Sequence, residues 1–240
     1  MLKQGLFRIP SLQEIIMESI TKFNGIDYAN TFAKRIGVMH ELVRNVLQGQ
    51  INKGDCIIDL GGGPGIGAKI IDELGIEATV INIEPSTTIH EIPRLSLVKY
   101  IPLKMTFKEA LDAQMPCAAS CLLVVSSEHE IALCNVQTPE ENKKIFFEDL
   151  KKFIRKNLMK NGTLVFGFPG YRKGASKTEI ERQRKLTESL LGHSHPEEEY
   201  FTVEEFSAAF GQPDGFIQKP MNLANEEETV LRANVAVFKI

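Results

Sequence analysis

The stretch Cys56-Ile57-Ile58-Asp59-Leu60-Gly61-Gly62-Gly63-Pro64-Gly65-Ile66-Gly67 decides the fold. Its first five residues form a short apolar run, introduced by the turn signal Lys53-Gly54-Asp55, of the kind expected for a strand buried on both faces. Gly61, Gly63 and Gly65 follow at alternate positions, and then Ile70, Ile71 and Leu74 recur at helical spacing before Gly75 stops the pattern. A strand, a glycine loop and a helix in that order let backbone approach a ligand with no Cβ in the way. A turn that served only to reverse the chain would rarely need so many glycines.

Outward from this loop, the second apolar run, Ala78 to Ile83, ends at Glu84-Pro85. Glu84 lies 23 residues after Gly61, close to the offset of about 20 at which an acid meets a ribose hydroxyl. Leu95 to Ile101 and Cys121 to Val125 are the third and fourth candidate strands, and Thr163 to Phe168, after the turn Asn161-Gly162, is the fifth. Helical patterns over Phe107 to Gln114 and Ile145 to Leu158 lie between them, so crossovers and a largely parallel sheet are predicted. Thr178 to Leu191 reads as a helix, and Thr202 with Glu205 reads as a capped helix start. Two closing strand-like runs, joined by the polar Asn225-Glu226-Glu227-Glu228, suit an antiparallel pair. Ahead of the first strand, apolar residues from Ser11 to Gln48 recur at helical spacing, with Asn24-Gly25 between them, which predicts two or three helices.

Composition bounds the function classes. The 240 residues are 43% hydrophobic and 25% charged, with 28 Lys+Arg against 31 Asp+Glu, a net charge of −3. A mildly acidic chain is a poor general binder of phosphate backbones, so nucleic acid is not the expected partner. No uncharged apolar run reaches the roughly 20 residues needed to span a bilayer, and the first 20 residues carry charges where a signal peptide would be apolar. Cys56, Cys117, Cys121 and Cys134 form no C-x-x-C pair, so neither a disulfide framework nor a thiolate zinc site is expected, and a cytoplasmic location fits.

Gly63-x-Gly65-x-x-Ala68 also satisfies the relaxed dinucleotide pattern. Asp59, immediately ahead of the glycines, argues against it, because it would repel a pyrophosphate and could meet an ammonium group, and an antiparallel ending is foreign to that fold. The segment Ile57 to Gly65 resembles the first motif of the class I S-adenosylmethionine-dependent methyltransferases, with Glu84 standing where their ribose-binding acid stands. That resemblance implies an α/β fold: a doubly wound, seven-stranded mixed sheet of Rossmann-like type, with a C-terminal antiparallel hairpin and an N-terminal helical cap. It implies one domain over 1–240: a cap over 1–50, a cofactor-binding half over 51–168, a helical insertion over 169–210 and a closing hairpin over 211–240. It further implies S-adenosyl-L-methionine as cofactor, held by Asp59, Gly61, Gly62, Gly63, Gly65, Glu84, Pro85 and Ser126. The chain departs from the family in having no acid after strand three for the adenine amine, leaving Leu103 or Met105 to pack on the ring. It also lacks the Asn/Asp-Pro-Pro-Tyr/Phe signature of base-amine methylation and an acidic triad of the magnesium-dependent catechol type.

Ser126-Ser127-Glu128-His129-Glu130 follows the fourth strand, where open α/β sheets hold ligands. Methyl transfer is an in-line displacement, so the protein positions the acceptor and, for a hydroxyl, removes its proton. His129 is the candidate base, with Glu128 or Glu130 orienting it or binding substrate; a surface histidine on a solvated helix start is the competing reading. Tyr28 and Phe32 of the cap and Tyr171 and Arg172 after the fifth strand are candidate substrate contacts, although aromatics at helical spacing are also core. His193-x-His195 is read as part of a charged loop, with no metal site expected. The expected function is methyl transfer to a small-molecule acceptor, oxygen ahead of nitrogen or carbon, by a monomer or homodimer. The alternatives are a non-methylating catalyst or binding module on the same fold and, further off, an NAD(P)-dependent oxidoreductase.

Overall fold

In the computed structural model the described residues are 28–85, 94–133, 138–191, 194–222 and 229–240. Helix α1 (Tyr28–Leu47) leads into β1 (Cys56–Leu60), α2 (Ile66–Glu73), β2 (Ala78–Ile83), β3 (Val98–Leu103), α3 (Phe107–Asp112) and β4 (Ala119–Val125). Then come α4 (Glu128–Leu133), α5 (Pro139–Asn157), β5 (Leu158–Tyr171), α6 (Lys177–Leu191), a 3₁₀ turn (Glu197–Glu199), α7 (Val203–Phe210), β6 (Gly215–Pro220) and β7 (Leu231–Lys239).

The seven strands form one sheet in the order β3-β2-β1-β4-β5-β7-β6. The pairs among β1 to β5 are parallel, while β7 runs antiparallel to both β5 and β6. This is the seven-stranded mixed α/β sheet with a closing hairpin that the sequence predicts. Connections leave β1 in one direction and β4 in the other, so the carboxyl ends of β1 and β4 flank the topological switch point, where such sheets hold ligands.

Each face of the sheet carries its own core. On one face α1 and α2 pack Met39, Leu42, Val43, Ala68, Ile70 and Ile71 onto the sheet. On the other, phenylalanines dominate: Phe146, Phe153, Phe166, Phe201, Phe206 and Phe238 are all essentially solvent-free. Phe206 of α7 lies with its ring centroid 4.0 Å from that of Phe166 on β5, which ties the segment after α6 to the centre of the sheet.

Several boundaries differ from the sequence reading, each for a physical reason. The third strand begins at Val98 rather than Leu95, because the Asp72 carboxylate at the end of α2 accepts the N–H groups of Ser96, Leu97 and Val98 and holds the approach as a turn. Helix α5 starts at Pro139, six residues before the apolar periodicity. Its first turn is polar, and it is set by a capping box between Thr138 and Glu141 with Pro139 at the first helical position. The fifth strand runs back to Leu158 through Asn161, which takes a φ of 64° within the strand.

The cysteine reading is corrected outright. Cys56 and Cys117 form a disulfide across a sequence separation of 61. Neither spacing nor motif signals the bond in sequence; it arises because β1 and β4 are parallel neighbours, so the residue opening β1 meets the segment that leads into β4. The Cys121 thiol is free and buried, and Cys134 lies outside the described residues. Among the described residues no helix is long and apolar enough to cross a membrane.

Candidate functional site

The glycine loop sits at the carboxyl end of β1, and its glycines are required for two separate reasons. Gly61, Gly63 and Gly65 have φ values of 68°, 51° and 83°, the left-handed region that glycine enters at little cost. Gly61, Gly62, Gly65 and Gly67 are also approached from inside the protein. A Cβ at 61 would lie 2.5 Å from the Ser127 Cβ, one at 62 only 2.2 Å from an Asp59 oxygen, one at 65 about 2.9 Å from the Tyr100 hydroxyl, and one at 67 2.4 Å from Asp59. The loop is therefore pressed onto a bed of side chains from β1, β2, β3 and the turn after β4.

Asp59 lies beneath this loop rather than over it. It is 1% exposed, and its carboxylate accepts the Gly67 N–H at 3.0 Å. Burial pushes the carboxyl up to about 7; the Gly67 hydrogen bond opposes the rise and the nearby Glu84 carboxylate adds to it. The sequence reading set Asp59 where it would meet an ammonium group; in the structure its direct contact is with the loop itself.

Glu84, at the end of β2, does reach the loop: its Oε2 accepts the Gly63 N–H at 3.1 Å, and its own N–H donates to the Leu103 carbonyl at the end of β3. Glu84 and Pro85 are both half-buried at the lip of the crevice. Asn82, two residues earlier, was not singled out by sequence. It is fully buried and donates from Nδ2 to the Gly63 carbonyl at 2.8 Å and to the Tyr100 hydroxyl at 2.6 Å. The sign available in sequence was an amide in an otherwise apolar strand, a residue that burial tolerates only when it is bonded. Met105 packs its half-buried side chain at the edge of the phenylalanine core, its N–H donating to Leu103.

The segment after β4 closes the other side. Ser126 adopts a φ of 55°, uncommon for a residue with a Cβ, and its N–H donates to the Gly167 carbonyl of β5. Ser127 Oγ donates to the Leu60 carbonyl at 2.8 Å, so the ends of β1 and β4 are bonded to each other at the switch point. Glu128 is fully buried at the start of α4. His129 lies on the same helix, its side chain outside the described ones.

Glu130 is engaged by His195, although the sequence pattern there predicts a charged, solvated loop. His195 has Nε2 3.1 Å from Glu130 and Nδ1 2.9 Å from Glu199, and is mostly buried. Burial opposes its charge, but the two carboxylates outweigh burial and raise its pKa above the ordinary histidine value. His193 lies outside the described residues, and among those described no cluster of three or more His, Cys, Asp or Glu is placed to hold a metal.

Of the four candidate substrate contacts, Tyr171 and Arg172 have described side chains. Tyr171 ends β5 with its ring 5.5 Å from that of Tyr200. Arg172 turns to Glu179 on α6, at 3.1 Å, on the exposed side. Tyr28 and Phe32 lie on the first two turns of α1, with side chains outside the described ones.

No protein-family model and no curated protein matches the sequence. Solved structures do match in shape. The chain is similar to a Burkholderia thailandensis 1,6-didemethyltoxoflavin-N1-methyltransferase bound to 1,6-didemethyltoxoflavin and S-adenosylhomocysteine, with 10% identity, 97% of this chain and 91% of that chain covered, and a TM-score of 0.57. A Thiobacillus denitrificans S-adenosylmethionine-dependent methyltransferase in complex with S-adenosylhomocysteine gives 13% identity, 96% and 98% coverage and a TM-score of 0.53. A Geobacter sulfurreducens S-adenosylmethionine-dependent methyltransferase in the same complex gives 10% identity, 87% and 96% coverage and a TM-score of 0.52. At such identities the likeness concerns the backbone, and together with the strand order it gives the chain the fold of the class I S-adenosylmethionine-dependent methyltransferases.

Proposed function

We propose that the protein binds S-adenosylmethionine on the Gly61–Gly65 loop and transfers its methyl group to a small-molecule acceptor. The observation that carries this reading is the Glu84 carboxylate held against the Gly63 N–H at the switch point of the sheet. A half-buried carboxylate at the crevice lip is an acceptor for ribose hydroxyls, and left-handed glycines beside it let backbone approach a ligand closely. The residues present fit the cofactor. The antiparallel β7 weighs against the nicotinamide alternative.

When bound, the cofactor supplies an electrophilic methyl group on a sulfonium. Glu84 would accept from the ribose, Gly61 to Gly65 would take the methionine portion, and Pro85 and Met105 would border the adenine. Ser126 would contact the cofactor, and the helix start after it would lie toward the acceptor. His129 would take the proton from an acceptor hydroxyl, which makes oxygen the favoured acceptor atom. Glu128 or Glu130 would orient it or bind substrate, and Glu130 also meets His195. Tyr28 and Phe32 from the cap, with Tyr171 and Arg172 beyond β5, would complete the acceptor pocket.

The didemethyltoxoflavin enzyme shows this fold acting on a small heterocycle, which supports a small-molecule acceptor here. A monomer or homodimer and a cytoplasmic setting go with this reading, although the Cys56–Cys117 disulfide takes away the cysteine argument for that compartment. Calorimetry with S-adenosylhomocysteine tests the cofactor, with binding expected and its absence decisive against the reading. Incubation with methyl-labelled cofactor and a metabolite extract tests transfer: label in a small molecule is expected, and retention of label on the cofactor would favour a non-methylating catalyst or binding module.

A further inference from the structure

Two buried polar groups under the glycine loop each lack what the other can provide. Asn82 Oδ1 is buried without a hydrogen-bond partner among the described residues. Leaving such an acceptor unmade costs on the order of 1–3 kcal/mol. Its orientation is fixed by its other end, because turning the amide over would set its oxygen against the Gly63 carbonyl, acceptor on acceptor. Asp59 is the register partner of Asn82 across the β1–β2 ladder, so the two side chains leave the sheet on the same face. Both converge on one point: a Cβ at Gly62 would lie 2.2 Å from Asp59 Oδ2 and 2.5 Å from Asn82 Oδ1.

The groups facing Asp59 are the Glu84 carboxylate at the end of β2, the Tyr100 phenol on β3, the buried Cys121 thiol on β4 and the Gly67 N–H of α2. None of these is a cation, and a carboxylate there would sit beside an orphaned carbonyl oxygen with one N–H to stabilise it. One proton resolves both problems.

We propose that Asp59 works as a neutral carboxylic acid donating its O–H to Asn82 Oδ1, the pair acting as positioning residues that hold the Gly63 carbonyl through Asn82 Nδ2. Burial supports that protonation state, having raised the carboxyl to about 7. The chain of bonds runs from the Gly67 N–H to Asp59, from Asp59 to Asn82, and from Asn82 to Gly63 and Tyr100, so both ends of the glycine loop are anchored through one acid–amide contact. Ionised Asp59 would place two acceptors face to face. The remedy open to the amide is to turn over, giving Nδ2 to Asp59 and releasing Gly63. The loop is therefore held firmly in the acid form and loosened as pH rises.

The proposal rests on the loop being the S-adenosylmethionine site, and Asp59→Asn separates it from a requirement for negative charge. An asparagine at 59 is neutral like the acid and carries one acceptor for the Gly67 N–H and one donor for Asn82 Oδ1. S-adenosylhomocysteine affinity is measured by calorimetry for wild type, Asp59→Asn and Asp59→Leu between about pH 6 and pH 8.5. The ligand's own amine titrates in this range, but equally against each protein, so the ratio of dissociation constants isolates Asp59. At the acid end Asp59→Asn is expected within about threefold of wild type and Asp59→Leu at least about tenfold weaker; with rising pH, wild type should weaken relative to Asp59→Asn. An Asp59→Asn protein that melts like wild type but binds at least about tenfold more weakly at every pH would overturn the proposal. In the ligand-free protein, a protonated-carboxyl infrared band at about pH 6 that disappears in Asp59→Asn is expected, and its absence from wild type would also overturn it. Failure of wild type to bind S-adenosylhomocysteine would sink the cofactor reading instead, while the infrared band would still decide the acid–amide bond.

Discussion

Gly61 and Ser127 meet so closely that a Cβ on the glycine would stand 2.5 Å from that of the serine, while Ser127 Oγ donates to the carbonyl of Leu60. The ends of β1 and β4 are thus locked together at the point where the sheet reverses its connections. Gly61→Ala must relieve this clash and also adopt a φ of 68°. The strain is about 1–2 kcal/mol for the backbone and about 1–3 kcal/mol for overpacking. A fall in melting temperature of roughly 5–15 °C is expected by calorimetry, together with loss of S-adenosylhomocysteine binding. An alanine variant that melts and binds like wild type would show that the two strand ends separate easily.

His195 joins the segment after α6 to α4 by lying between Glu130 and Glu199. Its folded pKa is raised, so its contribution is fully present below the ordinary histidine value near 6.5 and is lost as pH rises through the folded value. Wild type should therefore exceed His195→Gln in stability by about 1 kcal/mol near pH 6, and the difference should shrink by about pH 8.5. Denaturant titrations of both proteins at the two pH values measure it, and a constant difference would mean that the histidine acts by packing alone.

His40 on α1 has the opposite sign. Burial, helped by the Lys69 cation, lowers it to about 4, and its Nε2 has no hydrogen-bond partner among the described residues. Between about pH 6.5 and pH 4 the unfolded chain takes up a proton that the folded chain refuses, so stability falls as pH falls through this window. After allowance for solvent screening the loss is about 2 kcal/mol. In chemical denaturation across that range, His40→Gln should flatten the slope, and an unchanged slope would assign the acid sensitivity to other groups.

The Cys56–Cys117 bond closes a long loop, with a sequence separation of 61. Restricting the unfolded chain over such a loop is worth up to about 4 kcal/mol. A phosphine reductant should lower the melting temperature, and the Cys56→Ser, Cys117→Ser double variant should melt at the reduced value whatever the reductant. Identical melting with and without reductant would show that the bond contributes nothing in solution.

Much of the sheet was legible in the chain. The bounds of β1 and β2 emerge from apolar runs closed by glycine or by Glu84-Pro85, because a strand buried on both faces must be continuously apolar. The loop and its acid were legible for the same local reason, glycine being the residue for positive φ. Helix α5 was misplaced by six residues because its start depends on the Thr138–Glu141 cap and not on apolar periodicity.

What sequence alone determined is the strand–glycine loop–helix unit, the acid after β2 and the antiparallel ending, since each depends on neighbours within a few residues or on a fixed spacing. Tertiary structure decided the rest: that Asp59 lies under the loop beside Asn82, that Gly61 answers to Ser127, that His195 reaches Glu130, and that Cys56 meets Cys117. These pairings join residues on different strands or loops. Local propensity carries no information about them, because strand order, which sets them, is fixed by how both faces of the sheet are covered.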